Sequence, residues 1–368
     1  MKFGLFTPDS PYWLETINKM SYDFYHLPEY VALSARYEKG QAYAFIAQEG
    51  LDIIFFPFIT RPVTLACGGT RDPVYYDAIS PYGYASPLLR ASRDVVDEFY
   101  QSAINSFFEE LKKKNVVSVF LRLHPLLTDY TFFNHYGHLV CHGNTVSIDL
   151  NLSEQEIWRQ TRRNHRDGIK QAKEMGYSTL VDYEWKYWDK FLEIYYETMN
   201  RNRAEQYYYF SPSYFEELRH SMKNYLHLGV VLSQGEVASA GLFSEMNGVV
   251  QYHFSATADK HLKWASSKSL LYFMTLWEKQ RGNRVLHIGG GCGGTDDALF
   301  RFKAGFSKNR HPFYTWRFIT NPKVYSELIS DWEHQNVEKA DDLCGYFPAY
   351  RKHIFGIVLL CIAHCWLY

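Results

Sequence analysis

The sequence predicts an α/β chain of the α+β kind, built as two related halves, and three observations carry that prediction. At 368 residues the chain is long for one domain and comfortable for two. Short β-branched runs alternate with segments whose apolar residues recur every three or four positions. The order of those segments in the second half repeats, at greater length, the order in the first.

In the first half, AYAFIAQEG and LDIIFFPFITRPV read as strands joined at Glu49-Gly50. A loop rich in Gly, Pro and Tyr runs from Gly68 to Pro87. RDVVDEFYQSAINSFFEELKKKN follows, with Val95, Val96, Phe99, Ala103, Phe107 and Leu111 at helical spacing and a lysine run suited to a helix C-terminus. VVSVFLRLHP is a strand. The second half opens with the strand TVSIDLNL. Ser153 and Glu156 are spaced as a capping box for the basic helix that follows. Two helices come next, the second entered at Ser211-Pro212, an N-cap and first-turn pair. Then come three strands with Gly-containing turns, a helix (SSKSLLYFMTLWEKQRG), the strand VLHIGG, a Gly-rich loop and DDALFRFKAGF. The expected domains are 1–145 and 146–335, followed by a tail, 336–368.

Composition narrows the class. Basic and acidic side chains number 39 and 40, so no overall field draws the chain to nucleic acid, and polyanion binding would need a local cluster. Thirty Tyr and 26 Phe suit either a cleft for polar, ring-bearing ligands or a plain aromatic core. Cys67, Cys141, Cys292, Cys344, Cys361 and Cys365 are scattered without a CxxC, which reads as reduced thiols in a cytoplasmic protein. The opening MKFGLFTPDSPYWLE lacks the apolar stretch of a signal peptide. The ending IFGIVLLCIAHCWLY is shorter than the roughly 20 apolar residues that span a bilayer. It reads as a docking helix, a peripheral membrane contact or an accidental extension.

Two stretches carry candidate chemistry. In WRQTRRNHRDGIKQAKEMG, the residues Arg159, Arg162, Arg163, Arg166, Lys170 and Lys173 fall at steps of three and four, which on one helix line one face. Guanidinium forks match phosphate oxygens, so this face suits a phosphate-bearing partner, with a solvated basic surface as the alternative. In VLHIGGGCGGTDDALFRFKAGF, a strand runs into glycines that can bring bare backbone N–H groups to an anion. Lys303 lies there among apolar neighbours. From the residues alone it is equally an oxyanion partner or a surface lysine with its stem on apolar ground. His124, His253 and His287 read as structural histidines, and no metal-binding spacing appears.

Four segments together resemble the FemAB-like acyl- and aminoacyltransferases of the GNAT superfamily, especially members tied to surface polysaccharides. Asp77-Ala78-Ile79-Ser80-Pro81-Tyr82-Gly83-Tyr84 is similar to the family's "D-S-YGY-G-P" loop, with Ser86 where a Gly is usual before Pro87. Phe120 to Pro125 resembles its "F-R-HP" strand. Asn164 to Gly176 resembles its basic helix, and Gly289 to Phe306 its "GG…D-L--FK-GF" segment. The order of helices, three-strand meander, helix and strand is also that of a GNAT domain.

The resemblance implies tandem GNAT-like domains, each a mixed, mainly antiparallel sheet flanked by helices. It implies acyl or aminoacyl transfer to an amine of a cell-envelope precursor: a nucleotide- or lipid-linked amino sugar, or a peptidoglycan peptide. By that reading Lys303 with Phe302 supports the transfer centre, and N–H groups of Gly290 to Gly294 assist. Asp77, Asp296 and Asp297 are candidate proton acceptors. Arg166 and Arg162 meet phosphates, while Tyr82, Tyr84, Arg122, His124, Gly290, Gly291 and Asp297 line the substrate site. No tightly bound cofactor is expected; the donor is acyl-CoA or aminoacyl-tRNA, and charged tRNA is thus a candidate partner. The rival readings are a catalytically silent module that holds a phosphorylated glycan and, behind it, an S-adenosylmethionine-dependent methyltransferase.

Overall fold

A computed structural model describes residues 1–63, 73–92, 98–336 and 345–352. The chain gathers into two compact units. Val95, Val96, Cys67, Cys344, Cys361, Cys365 and the apolar ending fall outside the described residues.

The first unit begins with β1 (Lys2–Phe6), α1 (Pro11–Ile17), α2 (Pro28–Tyr37), β2 (Gln41–Glu49) and β3 (Asp52–Pro62). It continues through β4 (Tyr76–Ile79), β5 (Leu88–Arg90), α3 (Glu98–Lys113), β6 (Val116–Arg122) and α4 (Tyr130–His135). The β2–β3 turn falls where Glu49-Gly50 predicts it: Gly50 takes φ +60° and Glu49 pairs with Asp52. Along α3 the buried residues Phe99, Ala103, Ile104, Phe107 and Leu111 recur at helical spacing. Lys112 and Lys113 close its last turn and pair with Glu109 and Glu110. That apolar face packs on Phe45, Phe56 and Phe58 of the sheet.

The chain passes along β7 (His138–Asp149) into the second unit. There follow α5 (Glu154–Gln160), α6 (Arg163–Glu174), β8 (Ser178–Val181), α7 (Trp188–Arg201), α8 (Pro212–Met222), β9 (Leu226–Ser233), β10 (Glu236–Met246) and β11 (Val249–Thr257). Then come α9 (Ser266–Gln280), β12 (Val285–Gly289) and α10 (Ala298–Lys303). The Ser153–Glu156 capping box forms in both directions, and Ser211 caps α8 through the Tyr214 amide. The meander turns at Gln234-Gly235 and Asn247-Gly248 hold both residues at positive φ, as two-residue turns between twisted strands require.

After α10 the chain runs through β13 (Asn309–Ile319) to α11 (Pro322–Asn336). The division differs from the expected 146–335. From Phe313 onward the described chain belongs with Met1–Cys141, because β13 pairs with β6 from Thr315 to Ile319 and buries Trp316 among Phe56, Phe133 and Leu121.

Each unit is a mixed, mainly antiparallel sheet flanked by helices. The first is ordered β1-β2-β3-β4-β6-β13, with β5 on β3, and the second β7-β12-β11-β10-β9-β8. Each contains one parallel pair, β4–β6 and β11–β12, reached through α3 and α9 respectively. A parallel step needs such a crossover, and a helix supplies it.

Candidate functional site

In the second unit the site grows from the end of β12. Gly289 takes φ +75° and Gly294 φ +87°, values an L side chain resists. The loop has no room either: a Cβ on Gly290 would lie 2.9 Å from the Asn144 carbonyl oxygen, and one on Gly291 would run into Thr295 and Asp297. The loop returns into α10, whose last residue is Lys303. The Lys303 ammonium donates to the Gly290 carbonyl at 2.7 Å and is half-buried. Phe302 turns inward beside Phe306 into the core formed with Val146, Ile148 and Leu286. The lysine thus stands at the end of β12, held by its own helix.

Asp297 is held at both carboxylate oxygens. It is the N-cap of α10: Oδ1 accepts from the Phe300 amide at 2.7 Å, and Oδ2 accepts from the Cys292 amide at 2.9 Å. With both oxygens engaged, it ties the loop to the helix. The Gly294 and Thr295 amides also donate within the loop, to Gly291 and Cys292. Within the expected Gly290–Gly294 row, the Cys292 and Gly294 N–H groups are therefore already used inside the loop. Asp296 is exposed and pairs with Arg301 at 3.3 Å.

The basic stretch is two helices. Thr161 and Arg162 are extended, with ψ 126° and 144°, so α5 ends before α6 begins and Arg159 leaves the face shared by Arg166, Lys170 and Lys173. The break brings the start of α6 onto the C-terminal end of α10. The Arg162 amide donates to Gly305 O at 2.6 Å and its guanidinium to Arg301 O. His165, buried, donates Nε2–H to Phe302 O at 2.9 Å. Burial draws the His165 pKa to about 4, with Lys268 and Arg162 adding to the fall, so the ring is neutral near pH 7. From β13, Arg310 donates to Ala304 O and Ser307 O. These groups satisfy carbonyls that a helix end leaves without partners, and cations there also suit the helix dipole. Gly305 permits the approach, since a Cβ on it would enter the His165 ring. Arg166 stands half-buried on α6 and makes no ion pair among the described residues.

His165, Gly305, Arg310 and Lys268 escape sequence reasoning. The one signal for them is position: His165 stands between two arginines of the basic stretch, and Gly305 closes the Lys303 segment.

The first-unit candidates form a separate cluster. Asp77 is buried between Arg61, at 2.9 Å, and Arg351, and Arg61 also pairs with Glu38 at 2.8 Å. Both Asp77 carboxylate oxygens are thus held by guanidiniums, Oδ1 by Arg61 and Oδ2 by Arg351. His124 is fully buried. Its Nδ1 accepts the Leu126 amide at 3.0 Å, which places the ring proton on Nε2, the donor to Asp23 Oδ2 at 2.9 Å. Both ring nitrogens are thus engaged inside the unit. Tyr82 and Tyr84 belong to a loop pinned from below: Tyr30 donates to the Tyr82 carbonyl and His26 to that of Ser86. Gly83 lies against the Tyr25 ring at φ +87°. Tyr82, Tyr84 and Arg122 are half-buried and reachable, and Arg122 donates to the Ser80 carbonyl at 3.4 Å and lies over Phe120.

No family model matches the sequence, and no curated protein does. Solved structures do match. FemX aligns with a TM-score of 0.65 at 12% identity, over 89% of this chain and 99% of that one. L-PGS from Bacillus licheniformis aligns at 0.55 and 13% identity, over 86% and 93%. A tandem GNAT protein from the clavulanic acid biosynthesis pathway, solved without AcCoA, aligns at 0.51 and 9% identity, over 87% and 99%. The chain has the FemAB-like fold, a tandem of GNAT units. Among the described residues no helix is long and apolar enough to cross a membrane.

Proposed function

We propose that the protein transfers an acyl or aminoacyl group to an amine of a cell-envelope precursor, with Lys303 at the transfer centre. The observation that carries this is the Lys303 ammonium, held 2.7 Å from the Gly290 carbonyl at the end of β12. The fold shared with FemX, with L-PGS and with a tandem GNAT protein supports transfer chemistry as the class.

In the proposed reaction the amine nitrogen attacks the acyl carbonyl carbon and a C–N bond forms. The carbonyl oxygen gains negative charge, and Lys303 donates a hydrogen bond to it. Collapse of the intermediate breaks the bond to the leaving group, a thiolate from acyl-CoA or a ribose oxygen from aminoacyl-tRNA. The proton lost by the amine ends on that leaving group. Asp77 and Asp297 already accept bonds at both oxygens, so proton removal falls to the exposed Asp296 or to the substrate itself. The acceptor is a nucleotide- or lipid-linked amino sugar, or a peptidoglycan peptide.

The test begins with thermal shifts against acetyl-CoA, longer acyl-CoAs, charged tRNA and UDP-linked amino sugars, since a ligand of the native state raises the melting temperature. With the donor so found, Lys303→Ala should lower kcat by about 10²–10³-fold and leave donor affinity nearly unchanged. Full turnover in Lys303→Ala would overturn the proposal.

A further inference from the structure

The end of the second unit's sheet opposite Lys303 carries aromatic rings that reach the surface. Lys303 lies beyond Gly289, the last residue of β12, whereas the first, Val285, pairs with Val249 and so lies level with the end of β10. There Tyr183 is 70% exposed. Its ring centroid lies 6.4 Å from that of Trp277, with the planes at 58°, so the two rings make a corner. Trp277 is half-buried on α9; the His227 ring meets it at 4.9 Å, and the Arg281 guanidinium lies over it at 4.8 Å. Glu245 ties the polar members together, accepting from His227 at 2.7 Å, Arg281 at 2.9 Å and Asn283 at 2.8 Å.

Single exposed apolar side chains are ordinary, but Tyr183 is presented by a loop of fixed shape. Asp182 is buried, and its Oδ2 accepts the Tyr187 amide at 2.7 Å across the loop. The Trp188 amide donates to the Trp185 carbonyl at 3.2 Å. Trp185 takes φ +60°, alone among the described aromatic residues at positive φ, and bulky side chains resist that conformation. The chain thus accepts strain here while leaving Tyr183 in the open.

The charges at this place cancel or are engaged. Arg281 is paired with Glu245, Lys279 and Arg284 donate to the Leu150 and Asn247 carbonyls, and Lys186 lies over the Tyr187 ring. Glu184, beside Tyr183, is exposed. An anion therefore finds no welcome. The Tyr183 hydroxyl and the Trp277 indole N–H make no hydrogen bond among the described residues. A sugar ring presents C–H groups on its faces and hydroxyls at its rim. The first stack on aromatic faces, and the second bond to indole, phenol and planar polar groups.

We propose that Tyr183 and Trp277, with His227, Arg281 and Glu245 beside them, form a binding surface for an uncharged oligosaccharide. It is separate from the transfer centre and stands whether or not Lys303 supports acyl transfer.

Proton–nitrogen correlation spectra of the full chain test it without any transfer assay. Each of the nine tryptophans gives one indole N–H signal, and that of Trp277 is the one lost in Trp277→Phe. Titration with chitotetraose, cellotetraose and maltotetraose should shift the Trp277 signal with at least one of the three. Tyr183→Ala should weaken that sugar's binding about tenfold, while Tyr183→Phe, which keeps the ring, should retain most of the affinity. Lys303→Ala should bind it as wild type does. A Trp277 signal unmoved by all three sugars, equal affinity in wild type and Tyr183→Ala, or binding lost in Lys303→Ala would each overturn the surface.

Discussion

Glu278 is fully buried on α9; among the described residues Oε2 accepts from Asn283 at 2.8 Å, while Oε1 has no hydrogen-bond partner. Burial, and then the charge of Glu245, push its pKa up to about 8. Between the ordinary value of 4.5 and about 8, the folded chain keeps a proton that the unfolded chain has lost. Stability therefore falls as pH rises across that window. Glu278→Gln keeps the shape without the titration. It should raise the melting temperature by several degrees at pH 8 and change it little at pH 4.5, as scanning calorimetry across pH would show. His165 works in the opposite sense: its pKa is depressed from 6.5 to about 4, so its contribution is complete above 6.5 and is lost as pH falls toward 4. Neither environment is visible in the sequence. A glutamate in EKQRG and a histidine among arginines both read as surface residues until the packing around them is known.

At the scale of elements, the candidate site is a short helix held at both ends. Asp297 caps the start of α10, and Arg162, His165 and Arg310 take up the carbonyls at its end. Six residues make a helix too short to hold its shape alone, so the position of Lys303 depends on those clamps. Gly305→Ala should show this, because the added methyl enters the His165 ring. We expect a loss of about 1–3 kcal/mol by urea unfolding, together with reduced turnover. Gly293 has open space around it but φ +58°, so Gly293→Ala should cost only about 1 kcal/mol. The Lys303 segment was legible because its residues follow a known pattern in order. The helix break at Thr161 was not, since no Gly or Pro marks it. There the Thr161 hydroxyl bonds Ile157 O at 3.0 Å, at the point where α5 stops and the chain turns to meet α10.

At the scale of the molecule, the first unit takes one strand from beyond the whole second unit's stretch of chain. β7 follows the first unit's elements but pairs with β12, and β13 follows the second unit's elements but pairs with β6. A chain ending at Pro312 would keep Lys303 and its clamps yet leave β6 without its neighbour and the first core without Trp316. Such a chain should lose the cooperative unfolding of the first unit, seen as early loss of near-ultraviolet circular dichroism on heating. Trp316→Ala in the full chain should destabilise by about 3–5 kcal/mol.

The sequence by itself determined the elements, most of their caps and turns, and the repeated order that marks the fold, because hydrophobic period, capping pairs and turn glycines act over a few residues. It also pointed to Lys303 through a short pattern of neighbours. Only the tertiary structure decided which carboxylates are committed, that the basic stretch breaks to hold the Lys303 helix, and which unit β13 completes. Those outcomes depend on partners far apart in the chain: Asp77 with Arg351, His165 with Phe302, and Thr315 with Arg122. Local propensity carries no information about such pairs, since burial and charge are set by what arrives from elsewhere in the fold.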